Sequence, residues 1–286
     1  MAADIKQLKI TAAHCRLNVL RMLRASGAGH IGGAFSALDI VTALYFYKMN
    51  NDPNNPKLRE RDRFILSAGH KCLAQYATLA ERGYFPKSVL DSYGSLKSPI
   101  PGHPDMYKLP GVEANTGALG HGLSIATGMA LALRLDKLDS KVYVVMGDGE
   151  LAEGSNWEAA AAAAHYGLDN LVLFVDFNTL QISGRVKDVM NFTPIAEHFA
   201  AFGWKTIDIE GNDMETIVQT LDSLPLQKGK PTCVVAHTIK CKGLAAGEDN
   251  VDYHYWKPTT DQLNEGEAAI RSYIDALESG EGGAAK

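Results

Sequence analysis

Two apolar, β-branched runs flank an alanine-rich stretch, and each run stops at a polar turn. No other feature constrains the fold of this chain as much. Lys141-Val142-Tyr143-Val144-Val145-Met146 reads as a buried strand that ends at Gly147-Asp148-Gly149. Leu171-Val172-Leu173-Phe174-Val175 reads as a second strand and runs into Asp176-Phe177-Asn178. Between them, Trp157-Glu158 and the alanine run to Ala164 strongly favour helix. Strand, helix and strand within about 35 residues make one βαβ unit, in the usual right-handed crossover. Asp148 and Asn178, thirty positions apart, then fall at the carboxyl ends of two parallel strands. Open α/β sheets bind ligands at that edge. A carboxylate and an amide oxygen there suit Mg²⁺ or Ca²⁺, which take oxygen ligands and share a substrate's phosphates. The two glycines let a phosphate approach the backbone closely. The plain alternative for Gly-Asp-Gly, and for Asn178, is a turn after a strand.

The rest of the chain alternates in the same way. Ile5, Leu8, Ala12, Leu17, Leu20 and Leu23 give residues 4–25 a helical period. A glycine-rich loop is expected over Ala28–Gly33. A helix over Ser36–Met49 should follow, with Ser36 as its N-cap. A short strand over Arg63–Leu66 precedes a loop at His70 and a helix to Arg82. Residues 84–107, rich in proline, read as loop and short helix. A helix is expected from Leu119 to about Leu135, with Thr116 or Asn115 as its cap. Strands over Lys205–Ile209 and Thr232–Ala236 flank a helix over Asp213–Leu224. This order predicts an α/β fold, doubly wound, with a mostly parallel sheet and helices on both faces. One domain over residues 1–278 and a flexible tail over residues 279–286 are expected.

Composition excludes several classes. A net charge of −5 and the lack of any basic run argue against nucleic acid as a partner. No stretch reaches the ~20 apolar residues that would span a bilayer, so no membrane role is expected. The start Met1-Ala2-Ala3-Asp4 has no apolar signal region. Cys15, Cys72, Cys233 and Cys241 have no zinc-like or redox-pair spacing. They read as reduced, buried thiols of a cytoplasmic protein.

These residues together resemble the thiamine diphosphate-binding half of transketolases. Gly147-Asp148-Gly149, Glu153-Gly154, the helix from Trp157, the strand from Leu171 and Asn178 follow that family's order. So do Gly29-His30-Ile31-Gly32-Gly33, Ser67-Ala68-Gly69-His70, Gly102-His103-Pro104, Thr116-Gly117-Ala118-Leu119-Gly120 and Ile239-Lys240-Cys241-Lys242-Gly243. The likeness covers residues from about 10 to about 260. It implies thiamine diphosphate and Mg²⁺ (or Ca²⁺) as cofactors, and two-carbon ketol transfer between sugar phosphates as the reaction.

The resemblance also implies roles. Asp148, Asn178 and the backbone carbonyl of Leu180 would hold the metal. The Gly149 amide, beside Gly147, would meet the diphosphate. His70 and His254 would face the diphosphate and thiazolium. His30 and His103 would face sugar hydroxyls and move protons, which imidazole does near neutral pH. Gly117, Ala118 and Leu119 would pack on the aminopyrimidine, with His121 just inside the next helix. Glu153 and Glu158 would lie at a subunit interface that links two active sites; the plain alternative is two solvated acids at a helix start. His14, His165, His198 and His237 take the ordinary surface or core reading.

The chain departs from the family in two places. Lys71-Cys72 follow His70 where small residues are usual, and Lys71 points either to the diphosphate or to solvent. Tyr255-Trp256 follow His254 where glycine is usual. The chain also ends at Lys286, with no pyrimidine-binding domain and no third domain. In the family, the glutamate that activates the cofactor lies on that pyrimidine domain. The resemblance therefore implies the N-terminal subunit of a split transketolase, in an α2β2 heterotetramer with a C-terminal subunit. The natural alternative is a fragment of a longer chain. The start at Met1 and the Gly/Ala-rich end, Ser279 to Lys286, fit a subunit. Other thiamine diphosphate enzymes, of the 2-oxoacid dehydrogenase or deoxyxylulose-phosphate synthase type, and a non-catalytic cofactor-binding protein are the competing expectations. Gly102-His103-Pro104 argues against the dehydrogenase, and the chain length argues against a complete synthase.

Overall fold

The computed structural model describes residues 3–280. In chain order the elements are α1 (Ile5–Ser26), α2 (Ile31–Ala43), β1 (Arg63–Leu66), α3 (Cys72–Arg82), α4 (Gly122–Leu135), β2 (Val142–Gly147) and α5 (Gly154–His165). Next come β3 (Leu171–Phe177), α6 (Val186–Val189), α7 (Ile195–Ala201), β4 (Lys205–Glu210), α8 (Met214–Asp222), β5 (Thr232–His237) and α9 (Thr260–Ser279).

The five strands form one sheet in the order β1-β2-β3-β5-β4, and every neighbouring pair is parallel. Strand side chains alternate between two apolar layers, as period-2 geometry demands. Phe64, Tyr143, Val145, Phe174 and Val234 pack on one side, against α1, α2, α3, α8 and α9. Ile65, Val144, Met146, Leu173 and Val235 pack on the other, against α4, α5 and α7. Burial on both faces explains why β2 and β3 read as unbroken apolar runs rather than alternating ones. The expected α/β fold, with helices on both faces of a parallel sheet, is the fold observed.

Three expectations need correction. The second helix starts at Ile31, not Ser36, so Gly32 and Gly33 lie in its first turn. Tertiary packing overrides glycine's weak helix propensity there. A Cβ on Gly32 would lie 2.8 Å from the Tyr253 carbonyl, and one on Gly33 would lie 2.8 Å from Lys71 Cε. Ser36 is thus buried mid-helix rather than at a cap. The fourth helix starts at Gly122 with His121 as N-cap residue, and neither Thr116 nor Asn115 caps it. Finally, α9 was not expected, although its start is a capping box of Thr259 and Gln262. Leu263, Gly266, Ile270 and Ile274 form its buried stripe. Within the expected tail, Ser279 ends α9 and Gly280 is its left-handed cap, with φ at 82°. The remaining tail, residues 281–286, lies outside the described residues. All four cysteines are free and buried. No helix among the described residues is long and apolar enough to cross a membrane.

Candidate active site

A cleft of about 370 Å³ opens at the carboxyl ends of the strands. β2 ends at Gly147 and β3 ends at Phe177, and the two pair directly, so Asp148 and Asn178 emerge side by side. Both line the cleft and both are buried. Asp148 Oδ1 accepts from the Gly149 N–H at 2.9 Å, and Oδ2 accepts from the Thr179 N–H at 2.7 Å. Each oxygen keeps a lone pair for a cation. Burial and the neighbouring Asp176 raise the Asp148 carboxyl to about 6. Thr179 holds a left-handed backbone, with φ at 67°, between Asn178 and Leu180. Strain of this kind persists where surroundings fix it, and here it turns the Leu180 carbonyl inward. That carbonyl accepts from Lys240 Nζ at 3.1 Å.

Three imidazoles also line the cleft. The rings of His30, His70 and His254 lie 5.2–5.5 Å apart, centre to centre. An antiparallel bridge between Gly29 and Trp256 brings the loops of His30 and His254 together. Burial lowers all three, helped by nearby positive charge: His70 to about 2 and His254 to about 3. Each is therefore neutral at pH 7, a hydrogen-bonding group rather than a cation. The Tyr255 ring stands edge-on to His30 at 4.8 Å.

Other expected residues fall nearby or apart. Gly117, Leu119, Gly147 and Gly149 line the cleft. Ala118 does not, and its side chain is exposed. His103 is exposed and packs beside Gly117, where a Cβ would lie 3.1 Å from its ring. Glu153 and Glu158 are exposed, at the N-cap and second turn of α5, and neither lines the cleft.

Three charged residues were missed as site residues. Glu150 is buried and accepts from the Ser67 hydroxyl and from the Gly120 N–H at 2.8 Å, which fixes two cleft loops to β2. Asp176 is fully buried and accepts from Lys71, Ser36, Thr238 and Asn178. Burial alone would raise its carboxyl, but the Lys71 ammonium and the hydroxyls outweigh that and hold it low. Lys240 is 2% exposed and donates to Leu180 and faces His254 Nδ1 at 3.1 Å. The signals were present: Glu150 adjoins Gly-Asp-Gly, and a charged Asp176 inside an apolar strand needs a buried partner.

The donor set fits a metal-bound diphosphate. Among the described residues, no three His, Cys, Asp or Glu side chains gather as a metal cage. One carboxylate, one amide oxygen and one carbonyl instead suit a hard cation that also takes phosphate oxygens. Lys71 and Lys240 supply positive charge beside them.

Comparison with known proteins identifies the domain. The family described as transketolase, thiamine diphosphate-binding domain, matches residues 7–265. This chain belongs to the transketolase family, through that domain. It is 42% identical to one of the subunits of the apulose-4-phosphate transketolase of Phocaeicola vulgatus, over 96% of this chain and 98% of that one. It is 40% identical to the 6-deoxy-6-sulfo-D-fructose transketolase subunit SqwG of a Clostridium species, over 85% of this chain and 90% of that one. The transketolase structure from Campylobacter jejuni superposes with a TM-score of 0.85 at 29% identity. That match covers 98% of this chain but 47% of the other, so this chain spans about half of a single-chain transketolase.

Proposed function

We propose that this chain is the diphosphate-binding subunit of a two-chain transketolase. With a separate C-terminal subunit carrying the pyrimidine-binding domain, it would move a two-carbon ketol unit from a ketose phosphate to an aldose phosphate. The observation that carries this reading is the pairing of Asp148 and Asn178 with the neutral His30, His70 and His254 in one cleft. In this reading residues 1–278 act as one domain. Asp148, Asn178 and the Leu180 carbonyl would hold Mg²⁺ or Ca²⁺, and Lys240, which donates to that carbonyl, would supply positive charge for the diphosphate. When bound, thiamine diphosphate supplies the nucleophilic carbon and electron sink that side chains lack. The protein's own part is to neutralise the diphosphate, exclude water and move protons at the sugar hydroxyls. Neutral His30 suits that last task, with His103 beside it. In an α2β2 assembly, the exposed Glu153 and Glu158 would lie at the interface between chains. Reduced, buried cysteines suit the cytoplasm.

The test is a two-carbon transfer assay with thiamine diphosphate, Mg²⁺ and sugar phosphates, starting from xylulose 5-phosphate and ribose 5-phosphate. It is run on this chain, on its candidate partner, and on the mixture. Activity in the mixture alone is expected. Activity from this chain alone would overturn the two-chain reading.

A further inference from the structure

Lys71 is a lysine with 3% exposure, placed directly after a site histidine. Its stem lies against Gly33, where a Cβ would meet Lys71 Cε at 2.8 Å, so the first turn of α2 is built around it. Its ammonium reaches past the end of β2, near Gly147, and stops 2.6 Å from Asp176 Oδ2. Solvent is not its destination, and a surface role is excluded by its burial.

Asp176 in turn touches the metal site. Its Oδ2 also accepts from Ser36 Oγ at 2.6 Å and from Asn178 Nδ2 at 3.1 Å. Its Oδ1 accepts from Thr238 Oγ1. A carboxylate only accepts, so it selects one of the two orientations of the Asn178 amide. The nitrogen must face Asp176 and the oxygen must face away. In that orientation Asn178 Oδ1 accepts from the Leu180 N–H at 3.2 Å and keeps a lone pair. The reverse orientation would set two oxygens against each other and offer a cation an NH₂ group.

We propose that Lys71 is a positioning residue for the metal site. By pairing with Asp176 it anchors the carboxylate that orients Asn178, so that the amide oxygen is presented to a divalent cation. Partners one step removed from a metal, as Asp176 would be, commonly set its affinity by ~10–100-fold, and Lys71 stands one step further out. The proposal rests on the metal role of Asn178 given under the proposed function, but the orientation of the amide is separable from it. Arg16 is the matched control, because it makes another buried ion pair, with Asp39 at 2.8 Å, away from the cleft.

The experiment has two arms. The first is the side-chain amide resonance of Asn178 by NMR in cofactor-free protein, for wild type, Lys71→Met and Arg16→Met. The second is the affinity of the same three proteins for Mn²⁺ in the presence of inorganic pyrophosphate, read by electron paramagnetic resonance. Lys71→Met is expected to shift the Asn178 amide, speed its hydrogen exchange and weaken Mn²⁺ binding by up to ~10-fold, the lower end of the range for a direct partner. Arg16→Met is expected to lower the melting temperature while leaving both readouts within twofold of wild type. Should Lys71→Met fail to fold, Lys71→Gln keeps a donor near Asp176 without the charge, and a smaller change in both readouts is expected. An unmoved Asn178 amide, or equal losses from Arg16→Met, overturns the proposal and leaves Lys71 a plain structural pair. A wild-type protein that binds no Mn²⁺ would sink the metal reading instead, and the amide arm would still decide what Lys71 does.

Discussion

The floor and the rim of the cleft are built differently. The floor, at the ends of β2 and β3, is buried and over-determined. Asp148, Glu150, Asp176 and Asn178 are each at most 3% exposed, and each is held by two or more hydrogen bonds. The rim and the surface around it are open: Ile182 lines the cleft at 75% exposure, and His103, Ala118, Glu153 and Tyr255, outside the lining, are exposed. A buried charge must be paired where it stands, so the floor is complete within one chain. An exposed polar or apolar side chain carries no such requirement and gains its environment from whatever covers it. The difference teaches which half of the chemistry belongs to this chain.

Mutations should follow that division. Asp148→Ala removes a proposed metal ligand and the acceptor of two backbone N–H groups. It should abolish metal-dependent diphosphate binding, a loss beyond ~100-fold by calorimetry, since merely losing a supporting partner costs ~10–100-fold. A smaller loss would mean that the floor is not the metal site. Next in size is close packing. A Cβ on Gly69 would lie 2.6 Å from the backbone of Thr116, whereas one on Gly154 meets nothing within 4 Å. Gly69→Ala should cost about 1–3 kcal/mol in urea unfolding. Gly154→Ala, at the exposed start of α5, should be neutral or stabilising by up to about 1 kcal/mol. Equal effects would erase the contrast.

The pH dependence is a separate test of the cleft wall. His70 and His254 stay neutral in the fold down to about 2 and 3, while free imidazole protonates near 6.5. Below 6.5 the unfolded chain binds protons that the native chain refuses. Stability is therefore full above about 6.5 and falls as pH drops from there toward about 3. The urea midpoint of a His70→Asn, His254→Asn double variant should fall less steeply over that window than that of wild type. Parallel curves would mean that these rings are not held neutral. The smallest effect should come from the exposed surface outside the cleft. Glu153→Gln and Glu158→Gln should leave this chain's own stability within about 0.5 kcal/mol. Their consequence should show only in assembly with a partner, by analytical ultracentrifugation.

How much of this was legible in the sequence follows the same line. β2, α5 and β3 were readable because doubly buried parallel strands must be apolar throughout and must stop at the polar edge. Asp148 and Asn178 were readable for that reason. The start of α2 was not, because Gly32 and Gly33 signal a loop by propensity and become helical only when Lys71, Lys240 and Tyr253 pack against them. Glu150, Asp176 and Lys240 were passed over as site residues because each is defined by contacts from distant segments, Lys240 by one with Leu180, 60 positions away. Ser67 is 83 positions from Glu150, and Lys71 is 105 from Asp176. Local pattern carries no record of such pairs. α9 is a different case, since its Thr259–Gln262 capping box was in plain view.

The most direct test of the central claim is calorimetry on this chain alone, with Mg²⁺ and three ligands: thiamine diphosphate, inorganic pyrophosphate and thiamine. If this chain supplies the diphosphate half of the site, pyrophosphate should bind about as well as thiamine diphosphate and compete with it, and thiamine should not bind. Thiamine binding as tightly as its diphosphate, or pyrophosphate failing to bind, would contradict the account.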